Sequence, residues 1–190
     1  MIPPFNGQGI IPPFLGTDAT NADRSPYFTN MKTLFEQLGT SPIRRQLLRG
    51  LIEYRKILAN DGYVNGVQFI DGSFVENVES HSKRPPSDID IFSILNIPQK
   101  YYGNIALWDS HGRPFFVSEV ADRNKNKIRF KVDTYAILYE EQSPFDLIKQ
   151  IIYWYSVFSH QKATFAWKGF VAIMLDPQLD KSVLTLLEGE

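Results

Sequence analysis

The sequence predicts an α/β domain in which a short mixed β-sheet is flanked by helices. The helices are predicted by Ser-Pro pairs that precede segments with apolar residues at helical spacing. The strands are predicted by segments in the middle of the chain where polar and apolar residues alternate. A chain of 190 residues fits one domain that is large enough to bury a core of its own.

The first 25 residues are expected to form an extended arm that packs on the body of the protein. Two Pro-Pro pairs and three glycines within this stretch disfavour a helix. We therefore divide the chain into an arm, residues 1–25, and a single domain, residues 26–190. The apolar side chains of the arm, too numerous for a free tail, are Ile2, Phe5, Ile10, Ile11, Phe14 and Leu15.

Two helices are predicted after the arm. Ser25-Pro26 is expected to begin a helix that ends before Gly39, and Ser41-Pro42 to begin a second that ends at about Gly62. The cations of the second helix are expected on a solvated face, with a phosphate-facing groove as the alternative. These cations are Arg44, Arg45, Arg49, Arg55 and Lys56.

Strands are predicted over residues 67–70, 88–95, 113–120 and 128–137. Asp71-Gly72-Ser73 is expected to form a turn after the first of them. Ser143-Pro144 then begins a helix that runs to about Phe158, and residues 168–175 form a final apolar strand or helix.

Composition excludes several classes of protein. A net charge of −1 argues against a dedicated duplex-binding protein. The absence of cysteine excludes disulfides, zinc–thiolate sites and thiol nucleophiles, and a reducing compartment, the cytoplasm, is expected. No membrane association is expected, because no apolar run approaches the roughly 20 residues of a membrane span and no secretory signal is recognisable.

Asp88 and Asp90 are the first candidates for chemistry. Residues two apart on a strand project from the same face, so the two carboxylates lie side by side. Such a pair either faces open water or binds a divalent cation, and Mg²⁺ prefers ligands of this kind. Two further features favour the cation: Gly72-Ser73, a turn suited to phosphate, and Asp133, a lone carboxylate within an apolar strand.

These segments, taken in order, resemble the signature of the nucleotidyltransferase superfamily, which has the polymerase-beta-like fold. The signature is an apolar strand, Gly72-Ser73, a spacer of 14 residues, Asp88-Ile89-Asp90 and a later strand with Asp133. Several short segments also resemble a family of small bacterial nucleotidyltransferase-like proteins. They are 2–5, 69–74, 86–90, 160–162 and 168–169. The spacer is long for the superfamily.

The resemblance implies a Mg²⁺-dependent transfer of an NMP, with AMP expected, from a nucleoside triphosphate to a protein or RNA hydroxyl. Asp88, Asp90 and Asp133 would be the catalytic carboxylates. Asp88 and Asp90 would bind two Mg²⁺ ions, and Asp133 would either hold the metal that activates the acceptor hydroxyl or act as its base. Gly72 and Ser73 would contact the β- and γ-phosphates of the NTP, which is expected to be ATP. Lys162 and Lys168, which flank Trp167, would reach the triphosphate or an RNA acceptor; a solvated loop is the alternative.

Two other hypotheses remain open. The chain could be a non-catalytic antitoxin or defence-system subunit that binds a toxin, another partner protein or a nucleotide, as the apolar arm suggests. It could also be a sugar-nucleotide transferase that uses Asp88 and Asp90 on Mn²⁺, although Gly72-Ser73 and Asp133 would then have no role.

Overall fold

The computed structural model describes residues 1–189 and contains a five-stranded sheet with helices packed on it. The predicted mixed α/β architecture is confirmed. Glu190, the last residue of the predicted domain 26–190, lies outside the described residues. The strands are β1 (Tyr27–Thr29), β2 (Gly66–Asp71), β3 (Ile89–Leu95), β4 (Val132–Leu138) and β5 (Val171–Met174).

The strand order in the sheet is β1-β5-β2-β3-β4. The central strand β2 pairs antiparallel with both β3 and β5. Two pairs are parallel, β1 with β5 and β3 with β4. The end of β2 therefore lies beside the start of β3 and the start of β4, so residues from three strands meet at one end of the sheet.

Helices occupy much of the rest of the chain, and none in residues 1–189 is long and apolar enough to cross a membrane. Residues 105–120 form one helical segment in which α and π turns alternate. The α-helices are α1 (Met31–Leu38), α2 (Pro42–Asp61), α3 (Val78–His81), α4 (Ile105–Leu107), α5 (Arg113–Phe115), α6 (Arg123–Phe130), α7 (Pro144–Phe158) and α8 (Pro177–Glu188).

The two faces of the sheet are covered differently. One face packs against α1, α2 and α8 in the larger core, with residues such as Ile70, Ile91 and Leu51 fully buried. Within residues 1–189, α7 is the helix that packs on the other face, through Trp154 and Phe158. Because side chains alternate along a strand, the residues next to Ile70 and Ile91 face α7.

The N-terminal arm packs on the body. Ile2, Ile10 and Ile11 are buried, and Leu15 is exposed. The backbone N–H of Gly169 donates to the carbonyl of Ile11, which fixes the arm beside the start of β5. The arm thus contributes apolar side chains to the same body that carries the sheet.

The expectation that Ser25-Pro26 begins a helix is wrong. Residues 27–29 instead form β1, which pairs with β5. The helix begins at Met31, because the side chain of Asn30 accepts a hydrogen bond from the Thr33 N–H and caps it. Ser41 and Ser143 do cap α2 and α7, as predicted.

The strand predicted over 113–120 is also wrong, since these residues are helical. Phe115 and Phe116 point towards the body and contact the ring of Tyr63. The strand predicted over 128–137 begins only at Val132, because Asp122 caps α6 and the helix extends to Phe130. Lys131, with a φ of 58°, separates helix from strand.

Within the apolar segment 168–175, Val171–Met174 form the strand β5. It is followed by α8, which the sequence analysis did not identify. Asp176 caps this helix with its side chain, and Pro177 occupies its first turn.

Candidate active site

Aspartates lie side by side on adjacent strands at one end of the sheet. Asp71, the last residue of β2, pairs directly with Asp90 of β3, and Asp90 pairs directly with Asp133 of β4. Directly paired residues project from one face of a sheet, so the carboxylates share the face that α7 covers. Asp88 lies two positions before Asp90 on the same side. We call Asp71, Asp88, Asp90 and Asp133 the carboxylate row.

Asp90 is the member of the row whose charge is least compensated. Within residues 1–189, its carboxylate makes no direct hydrogen bond or ion pair. Burial, together with the neighbouring carboxylates of Asp88 and Asp133, raises the pKa of Asp90 to about 6, against the opposing effect of Lys127 and Lys168. A cation placed beside Asp90 would therefore stabilise its ionised form.

Gly72 and Ser73 directly follow β2 and begin a 3₁₀ turn, Gly72–Val75. The backbone of Gly72 lies against the row, because a Cβ at this position would come within 2.0 Å of the Oδ2 atom of Asp90. The φ angle of Gly72, +79°, also lies in the left-handed region. Both features require glycine, and Ser73 next to it is partly exposed.

Two buried cations hold this turn in place. The Lys168 ammonium group lies 3.0 Å from Asp71 Oδ1 and 2.7 Å from Glu76 Oε1. The Arg44 guanidinium donates to the carbonyls of Phe74 and Glu76. Burial raises the pKa of Asp71 to about 7, although Lys168 acts in the opposite direction. Lys168, only 2% exposed, is thus a buried cation that pairs with carboxylates at the site.

Two cations of α6 contact the other end of the row. Lys127 Nζ lies 2.6 Å from Asp88 Oδ2 and 3.0 Å from Asp133 Oδ2. The Arg123 guanidinium makes two hydrogen bonds to the Asp133 carboxylate and lies over the ring of Tyr135. Burial raises the pKa of Asp133, but the hydrogen bonds from Arg123 and Lys127 outweigh it, so that the pKa is lowered.

The fit of the row to Mg²⁺ depends on the arrangement and the chemistry of its carboxylates. In the part of the chain that the structure describes, no group of three or more His, Cys, Asp or Glu side chains is arranged to hold a metal ion. Instead of a metal ion, the Lys127 ammonium group lies within ion-pair distance of both Asp88 and Asp133. The donor chemistry itself suits Mg²⁺, which binds carboxylate oxygens, and the buried charge of Asp90 has no direct partner.

Lys162 and Trp167 lie on the loop between α7 and β5, and neither makes an ion pair or hydrogen bond with the carboxylate row within residues 1–189. Lys162 is exposed on the turn of this loop. Trp167 is 41% exposed and contacts the ring of Phe14. An open groove of about 530 Å³ lies beside Trp167. Its lining residues are Ile151, Ile152, Tyr155, Ser156, Ser159, His160 and Trp167.

The carboxylate row, the glycine turn and α6 all fall within residues 3–174, the part of the chain that a family model matches. This model is described as a family of unknown function, DUF6932. The chain belongs to the DUF6932 family. No curated protein and no solved structure gives a significant match to it.

Three residues of the site were not singled out by the sequence analysis. Asp71 was assigned only to a turn, although its position immediately before Gly72-Ser73 at a strand end is a usable signal. Arg123 and Lys127 stand four apart in a polar segment, the spacing of one helix face. The expected strand over 128–137 obscured that spacing.

Proposed function

We propose that the chain is a polymerase-beta-like, Mg²⁺-dependent nucleotidyltransferase that moves an NMP from a nucleoside triphosphate to a hydroxyl of a protein or RNA. AMP is the expected nucleotide. The observation that carries the proposal is the carboxylate row beside the Gly72 turn. Neighbouring carboxylates repel one another and are costly to bury, and two-metal phosphoryl-transfer sites use carboxylates held close together.

In the proposed reaction, the acceptor hydroxyl oxygen forms a bond to the α-phosphorus of the NTP. The bond from that phosphorus to the oxygen bridging to the β-phosphorus breaks, pyrophosphate leaves, and the hydroxyl proton passes to water. Bound Mg²⁺ would neutralise charge on the phosphates and lower the pKa of the acceptor hydroxyl.

The residues have separate proposed roles. Asp88 and Asp90 are the metal ligands, and the Gly72 backbone with the Ser73 hydroxyl contacts the β- and γ-phosphates. Lys162, on its exposed turn, is a candidate contact for a phosphate or for the acceptor. Lys168 is assigned a positioning role, since its ammonium group pairs with Asp71 and Glu76.

Asp133 is proposed as the carboxylate on the acceptor side. Its pKa is lowered by Arg123 and Lys127 against the effect of burial, so it stays ionised at neutral pH. An ionised carboxylate of low pKa is a better metal ligand than proton acceptor, because it binds a proton weakly. This property supports the ligand role over the role of general base.

A thermal-shift screen tests the proposal. The full chain is heated with ATP, GTP, CTP or UTP, each with and without Mg²⁺. One nucleotide with Mg²⁺ should raise the melting temperature, since a ligand at 100 times its Kd stabilises by about 2.7 kcal/mol. Asp90→Asn should abolish the shift. Asp109→Asn, a matched control in an exposed pair with Arg113, should retain it.

Two outcomes would contradict the proposal. In the first, no nucleotide stabilises the wild-type chain in Mg²⁺. In the second, Asp90→Asn is stabilised as strongly as the wild type, which would mean that the nucleotide binds away from the carboxylate row.

The second candidate function is a non-catalytic subunit that binds a partner protein. The outer face of α7 supports it, because Phe145 is 66% exposed and Ile152 63% exposed on the single helix that covers this side of the sheet. For this function, a variant with alanine at both Asp88 and Asp90 would keep full biological activity. For the nucleotidyltransferase it would lose activity.

A further inference from the structure

Lys127 occupies the place in the carboxylate row where a bridging cation would sit. Its Nζ lies 2.6 Å from Asp88 Oδ2 and 3.0 Å from Asp133 Oδ2, so one ammonium group serves two carboxylates. Asp88 has no other cation within ion-pair distance in residues 1–189. Losing Lys127 would leave Asp88 unneutralised until another cation took its place.

Charge in this region is not balanced by the side chains. The carboxylates of the row and Glu76 make five, whereas the cations in ion-pair contact with them are Arg123, Lys127 and Lys168. Asp90, without a direct partner, lies in the middle of this set. When all five carboxylates are ionised, they exceed these cations by two negative charges, which one divalent cation would neutralise.

The lysines of the site differ in their freedom to move. Lys168 also bridges two carboxylates, but its side chain is only 2% exposed and is enclosed by the body. The Lys127 side chain is 45% exposed and reaches the row from α6, a helix at the surface. It can swing into solvent without opening the core. Asp133 would still be held by Arg123 after such a movement.

We propose that Lys127 is an exchangeable cation: a divalent ion displaces it from Asp88 and Asp133, and the released ammonium group then contacts the polyphosphate of the substrate. This inference rests on the proposed function and adds a phosphate-binding residue to it. A competing account is that Lys127 is a permanent structural ion pair. The two accounts predict opposite effects of Lys127 on metal affinity. A competitor for the site weakens metal binding, whereas a structural support strengthens it.

Binding of Mn²⁺ to the full chain, measured by calorimetry, separates these accounts. Lys127→Met removes the charge and keeps the length of the side chain. It should tighten Mn²⁺ binding by about tenfold, the effect of removing one nearby opposite charge from a carboxylate, and it should weaken binding of ATP in saturating Mn²⁺. Lys125→Met is the matched control, because Lys125 stands on the same helix but pairs with Glu119. It should leave both affinities unchanged.

The outcomes distinguish this inference from the proposed function. If the wild type binds Mn²⁺ and a double variant with asparagine at both Asp88 and Asp90 does not, the metal site is supported. Unchanged or weaker Mn²⁺ binding by folded Lys127→Met would then overturn the exchange alone. If neither the wild type nor Lys127→Met binds Mn²⁺, even with ATP present, both the exchange and the proposed function are overturned.

Discussion

Lys168 and Asp71 form a buried ion pair, 3.0 Å from Nζ to Oδ1, at the point where β2 passes into the Gly72 turn. The same ammonium group contacts Glu76, which also accepts a hydrogen bond from Gln161. The loop before β5 is thereby joined to the turn beside the carboxylate row. The pair links segments almost 100 residues apart at the candidate active site.

Removing this cation should destabilise the protein. Lys168→Met leaves the carboxylates of Asp71 and Glu76 buried without their partner, and broken buried ion pairs cost about 3–5 kcal/mol. Urea unfolding should show a loss of that order. Lys162→Met, at an exposed position on the same loop, should change the free energy of unfolding by less than about 0.5 kcal/mol. Equal stability of the two variants would show that the buried pair contributes nothing.

Stability should depend on the ionisation of Asp90. Its pKa in the folded chain, about 6, lies above the ordinary value of 3.8, so the folded state binds the proton more tightly than the unfolded state. The contribution of Asp90 therefore falls as the pH rises from about 4 to about 6. Asp90→Asn should be more stable than the wild type at pH 7, by at most about 3 kcal/mol, with no such gain at pH 4.

Urea unfolding with a chelator present, at both pH values, measures this difference. A variant that is less stable than the wild type at pH 7 would show that Asp90 is stabilised by its surroundings as an anion, and the explanation from burial and neighbouring carboxylates would be wrong.

Replacing Gly72 should affect both stability and nucleotide binding. Gly72→Ala forces a Cβ to within 2.0 Å of Asp90 Oδ2 and strains a backbone at φ +79°. Gly103→Ala is the matched control, because φ is +71° there and no atom lies within 4 Å of the new Cβ. The control should lose about 1 kcal/mol from strain alone, and Gly72→Ala should lose more. Only Gly72→Ala should abolish the Mg²⁺-dependent thermal shift; similar behaviour of both variants would exclude a specific contact with Asp90.

The strand that holds Asp90 and two of the helices were predictable because their signals are local. Alternation marked the strand that holds Asp90, and serine caps marked α2 and α7. The segment 113–120 was misassigned because Phe115, Phe116 and Val120 are apolar without a strict period. Their contacts with the ring of Tyr63 and with the rest of the core favour a helix, and these contacts join residues far apart in the sequence.

Long-range ion pairs account for what the sequence could not predict. Arg44 and Arg55 were expected on a solvated face, yet both are 2% exposed. Their carboxylate partners, Glu79 and Asp180, lie 35 and 125 residues further along the chain. For the same reason, the pairing of Lys168 and Lys127 with the carboxylate row is visible only once the strands are brought together.

The most direct test of the central claim traces radiolabelled phosphate from ATP, or from the nucleotide that the thermal-shift screen selects. The chain is incubated in Mg²⁺ with host-cell protein and RNA, and with nucleotide radiolabelled at either the α- or the γ-phosphate. Label from the α-phosphate should appear on an acceptor and label from the γ-phosphate in pyrophosphate, with a loss of at least about 100-fold for Asp90→Asn. Transfer of the γ-label to an acceptor, or α-label transfer that Asp90→Asn leaves unchanged, would contradict a nucleotidyltransferase that acts through the carboxylate row.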